Sequence, residues 1–319
     1  MDKRVLVTGG AGFIGSEVVK QLLAKNYKVI VADDLSKKEA KVPSECEFVK
    51  IDLTNKVETV RLFKGVDYCI HLAAKIGGIG YFHKYPATIL SENNKLYSSV
   101  FESAAANKIK RIIYVSSSMV FESTTKFPSK EEDVRQIPPP VTSYGFSKLI
   151  GEQYCVAFKE EYGLDYTICR PFNAYGINEA PGEEVGYAHV IPDLIKKCLQ
   201  GQYPLELLGD GNQTRCFTHV SDIARGIIMT MESERAVNED FNLGSEKEMK
   251  MIDLAREIFS QCVPNKEFKV KHVSGFKYDI RRRVPLAQKA RRLLGWEQEV
   301  NLLDELPKLI DWIKVSERV

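Results

Sequence analysis

Short apolar runs alternate with helix-period stretches from the start of the chain. Val5, Leu6 and Val7 form an unbroken apolar run, the pattern of a parallel strand buried on both faces. Val18, Val19, Leu22 and Leu23 then recur at helical spacing and predict a helix packed on that strand. "KVIVAD", ending at Asp33, reads as a second strand, "DYCIHLAA" (67–74) as another, and "KRIIYVSSSMVF" as a strand running into three serines. Strands and helices in alternation predict an α/β fold, a doubly wound parallel sheet with helices on both faces. A first domain is expected over residues 1–172. "ICRPFNAYG" leaves the sheet for a smaller C-terminal substrate-binding lobe, residues 173–319. "RCFTHVSDIARGIIMTM" and "EDFNLGS" predict a return to the first domain near 214–245 as strand, helix and strand. "MIDLAREIFSQC" is an amphipathic helix of the lobe, with Ile252, Leu254, Ala255, Ile258 and Phe259 apolar.

Between the first strand and helix stand Gly9, Gly12 and Gly15, spaced G-x-x-G-x-x-G. Glycines allow a tight turn and let backbone approach a pyrophosphate. Phe13 and Ile14 then open a helix whose free N–H groups face the phosphates. Asp33 ends the second strand, where a carboxylate accepts from a ribose 2′-hydroxyl and repels a 2′-phosphate. It therefore favours NAD over NADP. Asp52 of "IDLTN" is a contact to the adenine or, equally, a helix cap, and Leu53 belongs with it. Leu72, Ala73 and Ala74 are small or apolar residues at a strand end, where the cofactor can lie close. "GGIGY" (77–81) predicts a glycine loop over the substrate, with Gly78 as the substrate contact.

The balance of 45 Lys and Arg against 43 Asp and Glu gives a net charge of +2, no case for a nucleic-acid or membrane-surface partner. No apolar run approaches the ~20 residues that span a bilayer. "MDKRVLVTGG" enters a strand with no signal-peptide core, and seven cysteines lie scattered from Cys46 to Cys262. Both features predict a cytoplasmic protein with reduced thiols. The five histidines form no metal-ligand cluster with them, so no metal is expected.

"SYGFSKLIGE" (143–152) puts Tyr144 and Lys148 four positions apart, on one face of a helix. A cation held beside a phenol favours the phenolate. The pair could thus give a tyrosine that accepts a proton near neutral pH. "PPP" (138–140) stiffens the approach to that helix.

Together, "TGGAGFIG", "HLAA", "YVSSS", "YGFSK", "RPFNAYG", "LGDGNQTRCFTHVSDIARG" and "ARRLLGW" resemble the extended short-chain dehydrogenase/reductase family, and within it the NDP-sugar epimerases and reductases. The resemblance implies a Rossmann-type domain that binds NAD and a lobe that binds a nucleotide-diphosphate sugar. It implies a catalytic set of Ser117, Tyr144 and Lys148: acid/base at Tyr144, nicotinamide-ribose binding by Lys148, and orientation of the sugar oxygen by Ser117. It extends the cofactor contacts to Ser116 and Pro171. It places the sugar nucleotide against Ser117, Ser118, Asn173 and Val190, with Arg215 as a phosphate partner. Arg282 is a further phosphate partner or, equally, a solvated basic helix start, and His189 is a hydrogen bond to the sugar, a relic, or a helix-entry residue before Pro192. It also implies a homodimer through a four-helix interface.

Dehydrating and decarboxylating members of the family carry an acid where this chain has Met119, and a thioether cannot transfer a proton. GDP-mannose 3,5-epimerase and GDP-fucose synthase share a stretch like "HLAAKIGGIG", but use a cysteine at the Met119 position. The expected reaction is therefore 4-epimerisation of an NDP-hexose through a 4-keto intermediate. The alternatives are a 3,5-epimerase or an epimerase/reductase of a 4-keto sugar, and a non-catalytic NAD-binding sensor.

Overall fold

The computed structural model describes residues 3–37, 42–77, 79–182, 189–275 and 280–317. Gly78 lies outside the described residues, and the loop expected over 77–81 is replaced from Ile79 by the helix Ile79–Lys84, whose backbone closes its own hydrogen bonds there. Seven strands form the central sheet: β1 (Arg4–Thr8), β2 (Lys28–Asp33), β3 (Glu47–Lys50), β4 (Tyr68–His71), β5 (Arg111–Val115), β6 (Tyr166–Pro171) and a seventh, Glu239–Leu243. Their order across the sheet is seventh strand, β6, β5, β4, β1, β2, β3, and every pairing is parallel. The chain runs outward from β1 to β3, then crosses β1 to lay down β4 to β6. This reversal opens a crevice at the carboxyl ends of β1 and β4. Register brings those ends level, since Thr8 pairs with both Ala32 and His71, and Val115 pairs with Cys169.

The runs Val5–Val7 and Val29–Val31 are fully or almost fully buried because both faces of the sheet are covered. On one face, Val18, Val19 and Leu22 pack with Ile223, Ile227 and Ile228 of the helix Val220–Glu232. The other face is covered by Tyr97, Val100 and Phe101 of the helix Pro86–Ala106 and by Cys155 of the helix Ser143–Tyr162. The chain returns to the sheet twice after residue 173. One return is the helix Val220–Glu232 with the seventh strand. The other is Ala287 to Trp296, whose indole is 1% exposed and donates to the Asp222 carbonyl at 2.8 Å. A separate core joins Ile191, Leu194 and Ile195 to Leu254, Ile258, Leu306 and Ile310.

The helix Ser143–Tyr162 starts where Thr142 Oγ1 accepts from Gly145 N at 3.1 Å and ends at Gly163 with φ +71°. Glu122 accepts from both Thr142 N (2.8 Å) and Thr142 Oγ1 (2.9 Å), which ties this N-terminus to the loop after β5. Among the described residues no helix is long and apolar enough to cross a membrane, and no group of three or more His, Cys, Asp or Glu could hold a metal ion.

Candidate active site

A cavity of about 860 Å³ runs from the glycine turn, past the carboxyl ends of β1, β4 and β5, to the smaller core. At its first end the glycines make a cradle. A methyl group on Gly15 would stand 2.1 Å from the Gly9 carbonyl oxygen, and one on Gly9, at φ +69°, would stand 2.7 Å from Ala73 N. Only hydrogen fits at these positions. The helix Phe13–Ala24 that follows has no side-chain cap, and its first turn lines the cavity, which leaves its first N–H groups for an anionic ligand. Asp33 Oδ2 accepts from Ala11 N at 3.1 Å and Oδ1 from Leu35 N at 2.8 Å, which locks the carboxylate at the rim. Asp52 also lines the cavity. Its Oδ1 accepts from Thr54 N and Oγ1, and the cap of the next helix is Asn55. Glycine cradle, uncapped helix and rim carboxylate together fit a dinucleotide.

In the middle of the cavity, Ser116, Ser117, Tyr144 and Lys148 meet. Tyr144 is 5% and Lys148 4% exposed. The Lys148 ammonium donates to the Val115 carbonyl at 2.9 Å and lies 5.4 Å above the Tyr114 ring. Burial pushes the Lys148 amine down to about 7, partly offset by the Glu152 carboxylate. Burial raises the Tyr144 phenol, with Tyr97 adding to the rise, while a hydrogen bond from Ser117 and the charge of Arg283 pull it back. Desolvation thus outweighs the downward push on the phenol expected from the Tyr/Lys spacing, because both groups are sealed from water. Phe82 stacks on the Tyr144 ring, with centroids 4.7 Å apart and planes at 13°. Phe82, Ile76 and Ile280 form an apolar patch against Tyr144 and Met119.

The far wall carries Asn173, Arg215, Arg283, Glu179 and His189. Arg283 reaches Asn173 Oδ1 at 3.3 Å, Ser118 Oγ at 3.5 Å and the Met119 sulfur at 2.9 Å. Asn173 sits at φ +39°, where asparagine is better tolerated than most residues, and its amide donates to the Cys216 carbonyl at 2.9 Å. His189 Nδ1 bonds to Glu179, whose carboxylate raises the imidazole's pKa. His189 immediately precedes the helix Val190–Leu199, and Val190 lines the cavity beside it.

All the described residues singled out in the sequence line this cavity except Arg282. Arg282 forms an ion pair with Glu248 and lies over the Phe127 ring, outside the cavity. The physical reason is strand parity: Arg282–Arg283 is a short strand, and neighbouring side chains on a strand point to opposite faces. Arg283 pairs in register with Arg215, so these two share the inward face. Sequence reasoning also missed Glu179 and Phe82. Glu179 sits ten positions before His189 with no periodic signal in the sequence between them, and Phe82 follows the stretch read as a glycine loop, on the helix Ile79–Lys84 that brings it to Tyr144.

Residues 5–244 match the model of the NAD dependent epimerase/dehydratase family. A putative UDP-glucose 4-epimerase of Methanocaldococcus jannaschii is 32% identical over 335 residues, covering 98% of this chain and 99% of that one. A UDP-N-acetyl-alpha-D-glucosaminuronate decarboxylase of Bacillus cytotoxicus is 31% identical, covering 99% of each. The crystal structure of a UDP-glucose 4-epimerase of Thermotoga maritima with UDP-glucose superposes with a TM-score of 0.88 at 30% identity, covering 98% of this chain and 99% of that one.

Proposed function

The chain belongs to the NAD dependent epimerase/dehydratase family, and from that premise we propose that it is an NAD-dependent 4-epimerase of a nucleotide-diphosphate hexose. The observation that carries the reading is the wall on which Ser117, Tyr144 and Lys148 converge, with Met119 as its fourth residue. Of these four residues Tyr144 and Lys148 form the proton-transfer pair, and Met119 supplies no acid. NAD bound against the glycine cradle would supply the hydride acceptor and donor. The residues supply the rest. Ser117 holds the C4 oxygen of the sugar. Tyr144, whose phenol is raised by burial and needs the Lys148 ammonium to offset that rise before it can act as the base, would take the hydroxyl proton as hydride leaves C4, and give it back when hydride returns to the other face of the 4-ketone. Positioned acid/base groups of this kind contribute ~10²–10⁴ in rate. The apolar patch of Phe82, Ile76 and Ile280 makes few polar demands on the ring and suits a ketone that must turn over. Arg215, Arg283 and Asn173 hold the diphosphate, a task for which the guanidinium fork is suited. Met119 argues against decarboxylation and dehydration, both of which need a proton-transferring group there.

The test is a panel of UDP-, GDP-, dTDP- and CDP-hexoses with purified, NAD-loaded protein, followed by NMR at C4. Interconversion of the C4 epimers with no net NADH is expected, and a panel in which every C4 is unchanged overturns the reading. The Glu179–His189 pair favours a second reading, because it sets another acid/base group on the opposite wall. That reading is a 3,5-epimerase or an epimerase/reductase acting on a 4-keto sugar. Reaction in D₂O separates the two. Hydride return leaves the carbon-bound hydrogens unexchanged, whereas carbon-acid chemistry puts deuterium at C3 or C5.

A further inference from the structure

Behind the catalytic wall lies a file of paired charges, two of them buried, that the proposed reaction does not use. Glu152 is 3% and Arg170 1% exposed. Arg170 grips both carboxylate oxygens of Glu152, Nε to Oε1 at 2.8 Å and Nη2 to Oε2 at 2.7 Å. Its Nη1 pairs with Asp240 at 2.9 Å, and Lys289 closes the file on Asp240 at 2.6 Å. The members come from a helix, β6, the seventh strand and the helix Gln288–Leu294. A buried ion pair is costly to desolvate, and an apolar pair is often as stable. Stability alone is thus a weak reason for placing one here.

We propose that Glu152, clamped by Arg170, is a positioning residue that keeps the Lys148 ammonium charged and locks it against the end of β5; this rests on the catalytic assignment of Lys148 made above. The geometry carries it. Glu152 stands one helical turn beyond Lys148, on the same face. Three consecutive residues at the end of β5 are latched. The Val115 carbonyl accepts from Lys148 at 2.9 Å, Ser116 Oγ donates to Glu152 Oε1 at 2.6 Å, and Ser117 Oγ accepts from Met119 N at 3.2 Å. One carboxylate therefore reaches both the lysine's helix and the strand end that presents Ser117. Lys148 faces Tyr144 and Glu152 on its own helix, Tyr114 on β5 and His71 on β4. Glu152 faces Ser116, Tyr114, Cys155 and Arg170. The surroundings of the lysine otherwise oppose its charge, and burial together with the Lys148 charge drives the His71 imidazole down to about 3.

Glu152→Gln tests this in two ways. In NAD-free protein, competitive labelling by a small amine reagent, read by mass spectrometry across pH, reports the titration of Lys148. The midpoint should fall by about one pH unit or more when the carboxylate loses its charge. In NAD-loaded protein, the alkaline limb of sugar-driven NADH formation in a single turnover should move down by the same amount, with activity recovering toward the wild-type level at lower pH. A residue that only supports packing would lower the rate equally at every pH. An unshifted labelling midpoint in folded Glu152→Gln overturns the proposal. If wild type leaves C4 of every sugar nucleotide unchanged, the proposed reaction fails, while the labelling still decides the role of Glu152. Should Glu152→Gln not fold, the pair Glu152→Leu with Arg170→Met removes both charges together. A folded pair with a wild-type labelling midpoint, or a pair that also fails to fold, assigns the charges to fold stability and overturns the proposal.

Discussion

Replacing Gly151 with alanine should destabilise the protein, against the sign that helix propensity assigns. Gly151 lies inside the helix Ser143–Tyr162, between Lys148 and Glu152. In an unobstructed helix the change gains ~1 kcal/mol. Here a methyl group would stand 2.1 Å from Tyr114 Oη and 2.3 Å from Tyr114 Cζ. Ordinary carbon contacts lie near ~3.5–4 Å, so the ring must retreat by more than ~1 Å. It has nowhere to go, since Tyr114 is 0% exposed and packed among His71, Tyr97 and Phe101 at centroid distances of 6.0, 5.6 and 6.2 Å. Overpacking of this kind costs ~1–3 kcal/mol. Retreat also breaks the bond from Tyr114 Oη to the Lys148 carbonyl at 3.2 Å. A buried hydroxyl left without a partner costs a further ~1–3 kcal/mol. The net is a loss of ~1–5 kcal/mol, read as a drop in the thermal unfolding midpoint at fixed scan rate and NAD concentration. A double-mutant cycle with Tyr114→Val locates the cause, because alanine at 151 should cost much less once the ring is gone. A higher midpoint for Gly151→Ala in the wild-type background would refute the reasoning.

Gly15→Ala sets a methyl group against the Gly9 carbonyl oxygen at 2.1 Å, a backbone atom that cannot rotate away. Calorimetric titration should show NAD affinity reduced at least tenfold, and unchanged affinity would show that the turn does not cradle the cofactor. Tyr144→Phe keeps the Phe82 stack and removes the proton carrier, so NAD binding should persist while turnover drops by ~10²–10⁴; a variant with wild-type turnover would exclude Tyr144 as the acid/base. Lys148→Met concerns stability against pH in NAD-free protein. The folded amine titrates at about 7, below the ~10.4 of an unfolded lysine, so between those values the unfolded chain binds the extra proton and stability rises with pH. The variant should lose that rise and melt higher than wild type near pH 7, and identical pH profiles for the two proteins would contradict the burial argument.

The Tyr/Lys face, the glycine turn and Asp33 were legible because each is local. Four positions make one helical turn, three glycines make one tight turn, and an acid that ends a strand stands at the sheet's carboxyl edge wherever that strand lies. The buried runs around Val5–Val7 and Val29–Val31 announced a sheet covered on both faces for the same reason. Arg282 and Arg283 show where legibility stopped. Both are arginines in one basic run, and only the pairing of that short strand with Thr214–Cys216 decided which of them faces the cavity.

The direction of the Tyr144 and Lys148 titrations was likewise beyond local reading, because it depends on how completely the fold removes water from around them. The charge file around Glu152 needed other elements, since Ser116 just after β5, Arg170 on β6 and Asp240 on the seventh strand meet only through the sheet order. By itself the chain's order of residues determined the secondary elements, the dinucleotide turn and the tyrosine–lysine pair, all contacts within about one turn of backbone. Strand parity, the sealing of the lysine and the assembly of the charge file were decided by tertiary structure, because side-chain facing, desolvation and long-range charge contacts exist only once distant segments are packed against one another.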